Sequence, residues 1–365
     1  MTKYKLWVSN YSLDDITGGT EMLGKQFSKA MGLRYMSAAK VGLSDSPFFK
    51  RDNWFLSAQM DDWLRNIDGD IDTLIHNSVN CWTEGIDGIE KIEAEHKAVV
   101  MCENFLKESK AIEDVLPEYS HDKRLRDWPN QLYALKNKKI ITISNGERET
   151  LLEQNIAKRK DVVVIEPFVD IDTFVPMNKT KCRKELGWSE EKRTLLYVGR
   201  AHLRKGWDLL LSAADAFPEY DFRCVAGKED ENQGNIHVHA RINADTLIKM
   251  YNAADALIVP SRYESFGFTF AEAMACDTPI LGTEVGLLEN IGRDEALSEA
   301  HIRTFEPTVR GICNAISAHK DHMDLLTSRI SSPFYGDKSN RKIAEKRFSE
   351  ERFGRQCNEL FGDGE

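Results

Sequence analysis

Between Pro260 and Ile291 the sequence PSRYESFGFTFAEAMACDTPILGTEVGLLENI sets two glutamates, Glu264 and Glu272, eight positions apart. An apolar run, ALIVP, ends at Pro260, and a helical pattern, TFAEAMA, begins after Gly267, so the segment reads as strand, loop and helix. Such a loop lies at the carboxyl edge of a sheet, where open α/β folds bind ligands. The spacing corresponds to about two helical turns, which places both carboxylates along one side of the same cleft. Carboxylates only accept hydrogen bonds, and the vicinal hydroxyls of a sugar donate them. Between the two, Phe266, Gly267 and Phe268 bring unpaired main-chain N–H groups to a helix start, where the dipole favours an anion such as phosphate. Glutamates at this spacing are ordinary on their own; the residues around them give the pair chemical meaning.

A second stretch, LLYVGRAHLRKGWDLLLSAA from Leu195 to Ala214, ends a strand at Gly199 and carries Arg200 and Lys205 in the loop that opens the next helix. Guanidinium grips a diphosphate in bidentate fashion and ammonium supplies a point charge, so two cations at this point suit a pyrophosphate. The loop is not a Walker loop, because G-x-x-x-x-G-K-[ST] is absent. A third stretch, Gly18-Gly19-Thr20-Glu21, follows the first strand and precedes the helical run MLGKQFSKAMG. Paired glycines there allow backbone to approach a ligand phosphate or sugar closely, and the absence of G-x-G-x-x-G argues against a dinucleotide fingerprint.

The elements that must position these loops alternate between β-rich apolar runs and helical patterns, which predicts parallel sheets covered by helices. Strands are expected at Tyr4–Ser9, Thr73–Asn77, Ala98–Cys102, Lys139–Ser144 and Val162–Glu166, then at Thr194–Gly199, Asp221–Ala226, Ile236–His239, Ala256–Pro260 and Pro279–Gly282. The two sets predict an α/β protein of two doubly wound domains. Between them PFVDIDTFVPMNKTKCRKELG, with two prolines and an acidic, aromatic turn-like stretch, reads as a connection and puts the boundary near Pro176. The charged tail from Arg341 to Phe361, with Phe348, Phe353, Leu360 and Phe361 as its apolar residues, is expected to be helical and to lie on a surface rather than fill a core.

Together these stretches resemble the retaining glycosyltransferases of the GT-B fold, the group typified by sucrose synthase, glycogen synthase and bacterial mannosyltransferases of lipid and wall assembly. The likeness runs from about Val162 to Ile291: VIEPFVDIDTFVP is similar to that group's inter-domain segment, VGR…KG to its diphosphate loop, and E-S-F-G-F-T-F-A-E-A to its E-x7-E signature. The last, continued by P-I-L-G-T-E-V-G, is highly specific. The resemblance implies two Rossmann-like domains facing each other across a cleft: an acceptor domain over residues 1–176, with a helix over about 347–365 packing back on it, and a nucleotide-sugar donor domain over 177–346. It implies that Arg200 and Lys205 hold the donor diphosphate, that Glu264 contacts the transferred sugar, and that Ser265 and the main-chain amides of Phe266, Gly267 and Phe268 line the same donor. Glu272 would accept from the ribose, Arg241 and Ile242 in HARIN would neighbour the base, and Gly18 and Gly19 would line the diphosphate from the other domain. Such enzymes use no metal or cofactor and take a UDP- or GDP-linked sugar. Where the group carries a histidine facing the donor sugar, DTLIHNSVN offers His76, with Asn77 as the alternative occupant.

Composition bounds the remaining choices. Hydrophobic residues make up 41% and charged residues 30% of the 365, which is globular composition long enough for more than one core. The seven cysteines form no C-x-x-C pair, so neither a disulfide framework nor a zinc knuckle is expected and a reducing cytoplasm fits. No apolar run approaches a membrane span, and no leader is expected. A net charge of −10 disfavours a broad nucleic-acid or anionic-membrane footprint. The acceptor is expected to be a glycan or small molecule, since LSAQMDDWLRNIDGD is acidic where a membrane-bound acceptor calls for a basic amphipathic helix. An alternative acceptor, a modified nucleic-acid base, rests on the basic stretch around Lys123, Arg124, Arg126, Trp128, Lys136, Lys138 and Lys139. A sugar-nucleotide-binding protein that has lost catalysis is the reading from another class.

Overall fold

The computed structural model describes residues 3–9, 19–37, 69–77, 92–113, 115, 135, 139–227, 229–291, 294–298, 300–328 and 340–361. The chain divides into two compact units, Met1–Pro167 with Glu351–Glu365, and Phe168–Glu350.

The first unit is built on strands β1 (Lys3–Ser9), β2 (Arg34–Ser37), β3 (Asp70–Asn77), β4 (His96–Met101), β5 (Lys139–Thr142) and β6 (Val162–Val164), with helices α1 (Gly19–Met31), α2 (Phe105–Ile112) and α3 (Asn145–Glu153) between them. All pairings are parallel in the order β2-β1-β3-β4-β5-β6, so the winding reverses between β1 and β3. Strands buried on both faces need apolar runs, and β4 supplies one, with Ala98 to Met101 fully buried. β5 stops at Thr142 rather than continuing to Ser144, because Ser144 turns to cap α3 and accepts from the Glu147 N–H at 3.3 Å.

The second unit holds α4 (Lys179–Leu186), β7 (Arg193–Val198), α5 (Trp207–Ala216), β8 (Tyr220–Val225), β9 (Glu231–Gln233), β10 (Ile236–His239), α6 (Ala244–Ala253), β11 (Ala256–Val259), α7 (Phe268–Ala275), β12 (Ile280–Thr283), β13 (Ile302–Phe305), α8 (Val309–Ser328) and α9 (Asn340–Arg347). Its sheet runs β13-β12-β11-β7-β8-β10-β9. Every pairing is parallel except β10 with β9, an antiparallel edge of exposed polar residues. The core lies between this sheet and α5 and α8, with Leu195, Tyr197, Phe222, Cys224, Leu210 and Ile316 buried together.

Three strands depart from expectation. β2, β9 and β13 are short edge strands whose sequences RYMS, ENQ and IRTF lack the apolar run of a central strand, so neighbouring strands rather than local pattern define them. The boundary also shifts from Pro176 to between Pro167 and Phe168. The connecting segment is bonded to the second unit: the Met177 N–H donates to Asn252 at 2.6 Å, Asn252 donates to the Val175 carbonyl at 3.0 Å, and Arg341 donates to the Phe174 carbonyl at 2.6 Å.

The tail corrects another expectation. Phe348 is fully buried in the second unit, and in α10 (Glu350–Glu359) Phe353 is 1% exposed, with its ring edge-on to Phe27 at 4.9 Å. The tail is an amphipathic helix whose apolar stripe fills core, while Arg355 and Glu351 pair on its exposed side.

Candidate active site

Sheet order in the second unit reverses between β7 and β11, which pair as Leu195 with Ala256 and Leu196 with Leu257. The loops that leave these strands therefore emerge side by side at a topological switch point, where open α/β sheets form their ligand crevice. They are the loops of Arg200 and Lys205, and of Glu264.

Close approach of the two loops requires glycine. Gly206, with φ +69°, ends the first loop, and a Cβ there would lie 2.0 Å from the Pro260 carbonyl oxygen. Polar bonds then hold the loops together. The Arg262 N–H donates to the Arg204 carbonyl at 2.8 Å, and its guanidinium reaches the Leu203 carbonyl at 2.6 Å and both Asp208 oxygens at 2.7 Å. Burial raises the Asp208 carboxyl, but the Arg262 guanidinium outweighs it and holds the group below its usual range. From within the sheet, the buried Tyr197 hydroxyl donates to the Arg200 carbonyl at 2.8 Å and fixes the start of the loop.

Inside this frame Lys205 donates to both oxygens of Glu264, at 2.5 and 2.7 Å. The Ser261 hydroxyl adds a bond of 2.8 Å to Oε1, and the Ser261 carbonyl in turn accepts from the Thr283 hydroxyl at the end of β12. Burial works against ionisation of Glu264, yet the Lys205 charge and these hydrogen bonds leave its carboxyl below the usual range. The loop after β12 braces it: the Leu287 N–H donates to the Phe266 carbonyl at 2.8 Å, and Gly286, at φ +58°, passes so near that a Cβ would sit 2.5 Å from that oxygen.

The expected site residues divide as follows. Gly267 adopts φ +85° and starts α7, so Glu272 sits little more than one turn into the helix rather than two. Its half-buried carboxylate accepts from the Tyr251 hydroxyl at 2.7 Å, and burial pushes the group up. Ser265 and Phe268 are half-buried, while the Phe266 ring is buried edge-on to Phe268 and Phe348, which leaves only its main chain for a ligand. Arg200 is exposed and Lys205 half-buried. Of the four charged side chains expected around one sugar-bearing pyrophosphate, Lys205 and Glu264 are in contact, whereas Glu272 is bonded to Tyr251. Arg241, at φ +51°, and Ile242 form the turn after β10, at the same edge of the sheet but with β8 between that strand and β7.

In the first unit Gly19 opens α1, and Gly18 lies outside the described residues. His76 is buried near the end of β3, level with Val8 of β1 where that sheet reverses, and Asn77 is the last residue of the strand. Of the basic stretch only Lys139, the first residue of β5, is described; Lys123, Arg124, Arg126, Trp128, Lys136 and Lys138 lie outside the described residues.

Sequence reasoning passed over Ser261, Arg262, Asp208, Tyr251 and Gly286. The run P-S-R directly after an apolar strand was the available signal for the first two. Nothing local marks Tyr251, which reaches Glu272 from another helix. Among the described residues no group of three or more His, Cys, Asp or Glu side chains gathers as a metal would need, and no helix is long and apolar enough to cross a membrane.

The switch-point loops and the glutamate segment fall within one recognisable stretch. Residues 178–302 match the family described as Glycosyl transferases group 1. A curated relative, the D-inositol 3-phosphate glycosyltransferase of Mycolicibacterium gilvum (strain PYR-GCK), is 30% identical over an alignment of 185 positions that covers 46% of this chain and 42% of that protein. The chain thus spans less than half the length of the curated relatives it matches. Solved structures extend the likeness to both units. The sucrose-phosphate synthase of Thermosynechococcus elongatus superposes with a TM-score of 0.72 at 17% identity over 98% of each chain. The Anabaena protein Alr3699/HepE, solved in complex with UDP-glucose, gives 0.68 at 15% identity over 98% of each. The fold is GT-B, with two Rossmann-like units.

Proposed function

We propose that the protein is a metal-independent glycosyltransferase that moves a hexose or related sugar from a nucleoside-diphosphate donor to a hydroxyl acceptor with retention of anomeric configuration. One observation carries the reading: Lys205 and Glu264, from loops that only the sheet reversal makes neighbours, form a part-buried pair at the carboxyl edge of the second unit. An ammonium beside a carboxylate matches a ligand that is anionic at one end and rich in hydroxyls at the other, and a diphosphate sugar is such a ligand.

In this reading Arg200, Lys205 and the start of α7 offset the charge that grows on the departing phosphate, a preorganised stabilisation worth about 3–4 kcal/mol for a single well-placed donor. Glu264 accepts from the transferred sugar, with Ser265 and the amides of Phe266, Gly267 and Phe268 around it. Glu272 accepts from the ribose, and Arg241 and Ile242 neighbour the base. For Gly18, Gly19 and His76 the same reading proposes contact with the donor. The bond from anomeric carbon to phosphate oxygen breaks as the acceptor oxygen bonds that carbon on the same face, and the acceptor proton passes to the leaving phosphate. Glu264, already engaged by Lys205 and Ser261, is not assigned as a nucleophile. A glycan or small molecule is the proposed acceptor.

The test begins with a thermal-shift panel of UDP- and GDP-linked sugars, since a ligand of the native state raises apparent stability. The best donor is then assayed for release of nucleoside diphosphate with and without a chelator, and the product anomer is read by NMR. Stabilisation by a donor, chelator-resistant release and a retained anomer support the proposal. Donor binding without turnover across a range of acceptors would favour a binding protein instead.

A further inference from the structure

Glu272 leans on a residue from another helix. Tyr251, on α6 and fully buried, donates its hydroxyl to Glu272 Oε2 at 2.7 Å. Two further contacts place the tyrosine, one at its ring and one at its main chain. The Phe174 ring stands edge-on to it at 6.1 Å, and its carbonyl accepts from the Thr278 hydroxyl at 2.9 Å. A fully buried phenol has two χ angles and close-packed neighbours that restrict them. Its hydrogen bond to Oε2 therefore limits how the Glu272 carboxylate can turn.

We infer that Tyr251 is a positioning residue that holds Oε2 of Glu272 and so orients the carboxylate toward a ribose hydroxyl, so that the tyrosine sets how strongly the site prefers a ribonucleotide over its deoxy counterparts. The inference rests on the proposal that Glu272 faces the ribose, and it goes further by assigning the preference to a buried side chain outside the ligand. The physical argument is one of geometry. An unrestrained carboxylate offers about four lone-pair directions and can rotate to satisfy itself elsewhere. Held at one oxygen it is less free to turn away, so a missing hydroxyl leaves a half-buried acceptor direction unfilled, the circumstance in which loss of one hydrogen bond discriminates. Two further features agree. Burial pushes the Tyr251 phenol well above its ordinary value, so the hydroxyl stays a donor at all physiological pH. Burial also pushes the Glu272 carboxyl up while the Tyr251 hydrogen bond pulls it back down, so the tyrosine favours the ionised acceptor.

The experiment measures Kd by calorimetry for UDP and GDP, each beside its 2′-deoxy and 3′-deoxy forms, on wild type, Tyr251→Phe and Glu272→Ala. Wild type is expected to prefer the better ribonucleotide over its weaker deoxy analogue by about tenfold or more, and both variants should reduce that ratio to about threefold or less. A ratio is the readout because general destabilisation by a substitution weakens both ligands alike and cancels. If Glu272→Ala collapses the preference while Tyr251→Phe keeps it, the inference is overturned and the ribose role of Glu272 stands. If wild type shows no preference, or Glu272→Ala leaves it intact, the ribose role itself fails and the inference falls with it.

Discussion

The Lys205–Glu264 pair illustrates how one contact can serve both fold and chemistry. Each charge is largely removed from water, and the lysine holds both carboxylate oxygens, so deleting one side chain leaves the other without its main partner. Lys205→Ala is expected to lower release of nucleoside diphosphate from the best donor by about 100-fold or more, the scale of losing a preorganised donor to developing charge. The same variant should move the Glu264 carboxyl upward, because burial would then act without the lysine that now outweighs it. A carboxyl-carbon NMR titration reads the shift directly, and an unmoved Glu264 would show that Lys205 does not govern it. The buried Arg183–Asp255 pair at 2.8 Å makes a purely structural comparison. Arg183 also donates to the carbonyls of Ala253, Ser189, Glu190 and Lys192, so Asp255→Asn should cost about 3–5 kcal/mol in chemical denaturation while the tertiary contacts of the switch-point loops persist.

Among the elements, three glycines with similar backbone angles separate conformational cost from steric cost. Gly187 closes α4 at φ +67° with nothing within 4 Å of where a Cβ would stand, whereas at Gly206 and Gly286 that atom would lie 2.0 and 2.5 Å from a carbonyl oxygen. Gly187→Ala should therefore cost only the left-handed penalty of about 1–2 kcal/mol. Gly206→Ala must in addition push apart the loops that carry Lys205 and Glu264, and Gly286→Ala must push the loop after β12 away from the Glu264 loop. They should lose donor binding in a thermal-shift assay, and retention of full binding by either would mean that the loops need not touch as described. α10 offers a similar test. Phe353→Ala removes a ring packed on Phe27 and should cost about 3–5 kcal/mol. Hydrogen exchange should report faster opening of α1 and β1, since Phe27 stacks on Trp7 at 5.5 Å.

For the whole molecule the carboxylates predict how stability follows pH. Asp255, Asp221, Asp208 and Glu264 are all held below their usual ranges by neighbouring cations, against the opposing effect of burial. A carboxyl lowered on folding contributes stability that is complete above its unfolded value, about 4 for these side chains, and is lost as pH falls through the folded value. Glu272 has the opposite sign, because its raised carboxyl withdraws stability as pH climbs from the unfolded value through the folded one. With the exposed Glu185 and Glu219, also lowered by lysine partners, six lowered carboxyls among the described residues stand against one raised, which predicts a net loss of stability on acidification below about pH 4, measurable as a falling urea midpoint. Asp255→Asn should flatten that acid limb, and a limb of unchanged slope would remove Asp255 from the account.

The sequence by itself determined the local conformations and the chemistry of the loops. Apolar runs at strand length, capping residues such as Ser144 and left-handed glycines such as Gly267 act within a few residues, and the likeness of VGR…KG and E-S-F-G-F-T-F-A-E-A to a known group needs only linear order. Strand order and side-chain partnership were left to the tertiary structure. Lys205 and Glu264 are 59 positions apart, Arg262 and Asp208 54, and Tyr251 and Glu272 21. The first two pairs meet because β11 lies against β7, an arrangement set by burying the common core rather than by any local pattern, and Tyr251 reaches Glu272 from a different helix. The edge strands β2, β9 and β13 were hidden for the same reason: a short strand with little apolar content is defined by the neighbour it bonds to, and periodicity carries no record of neighbours.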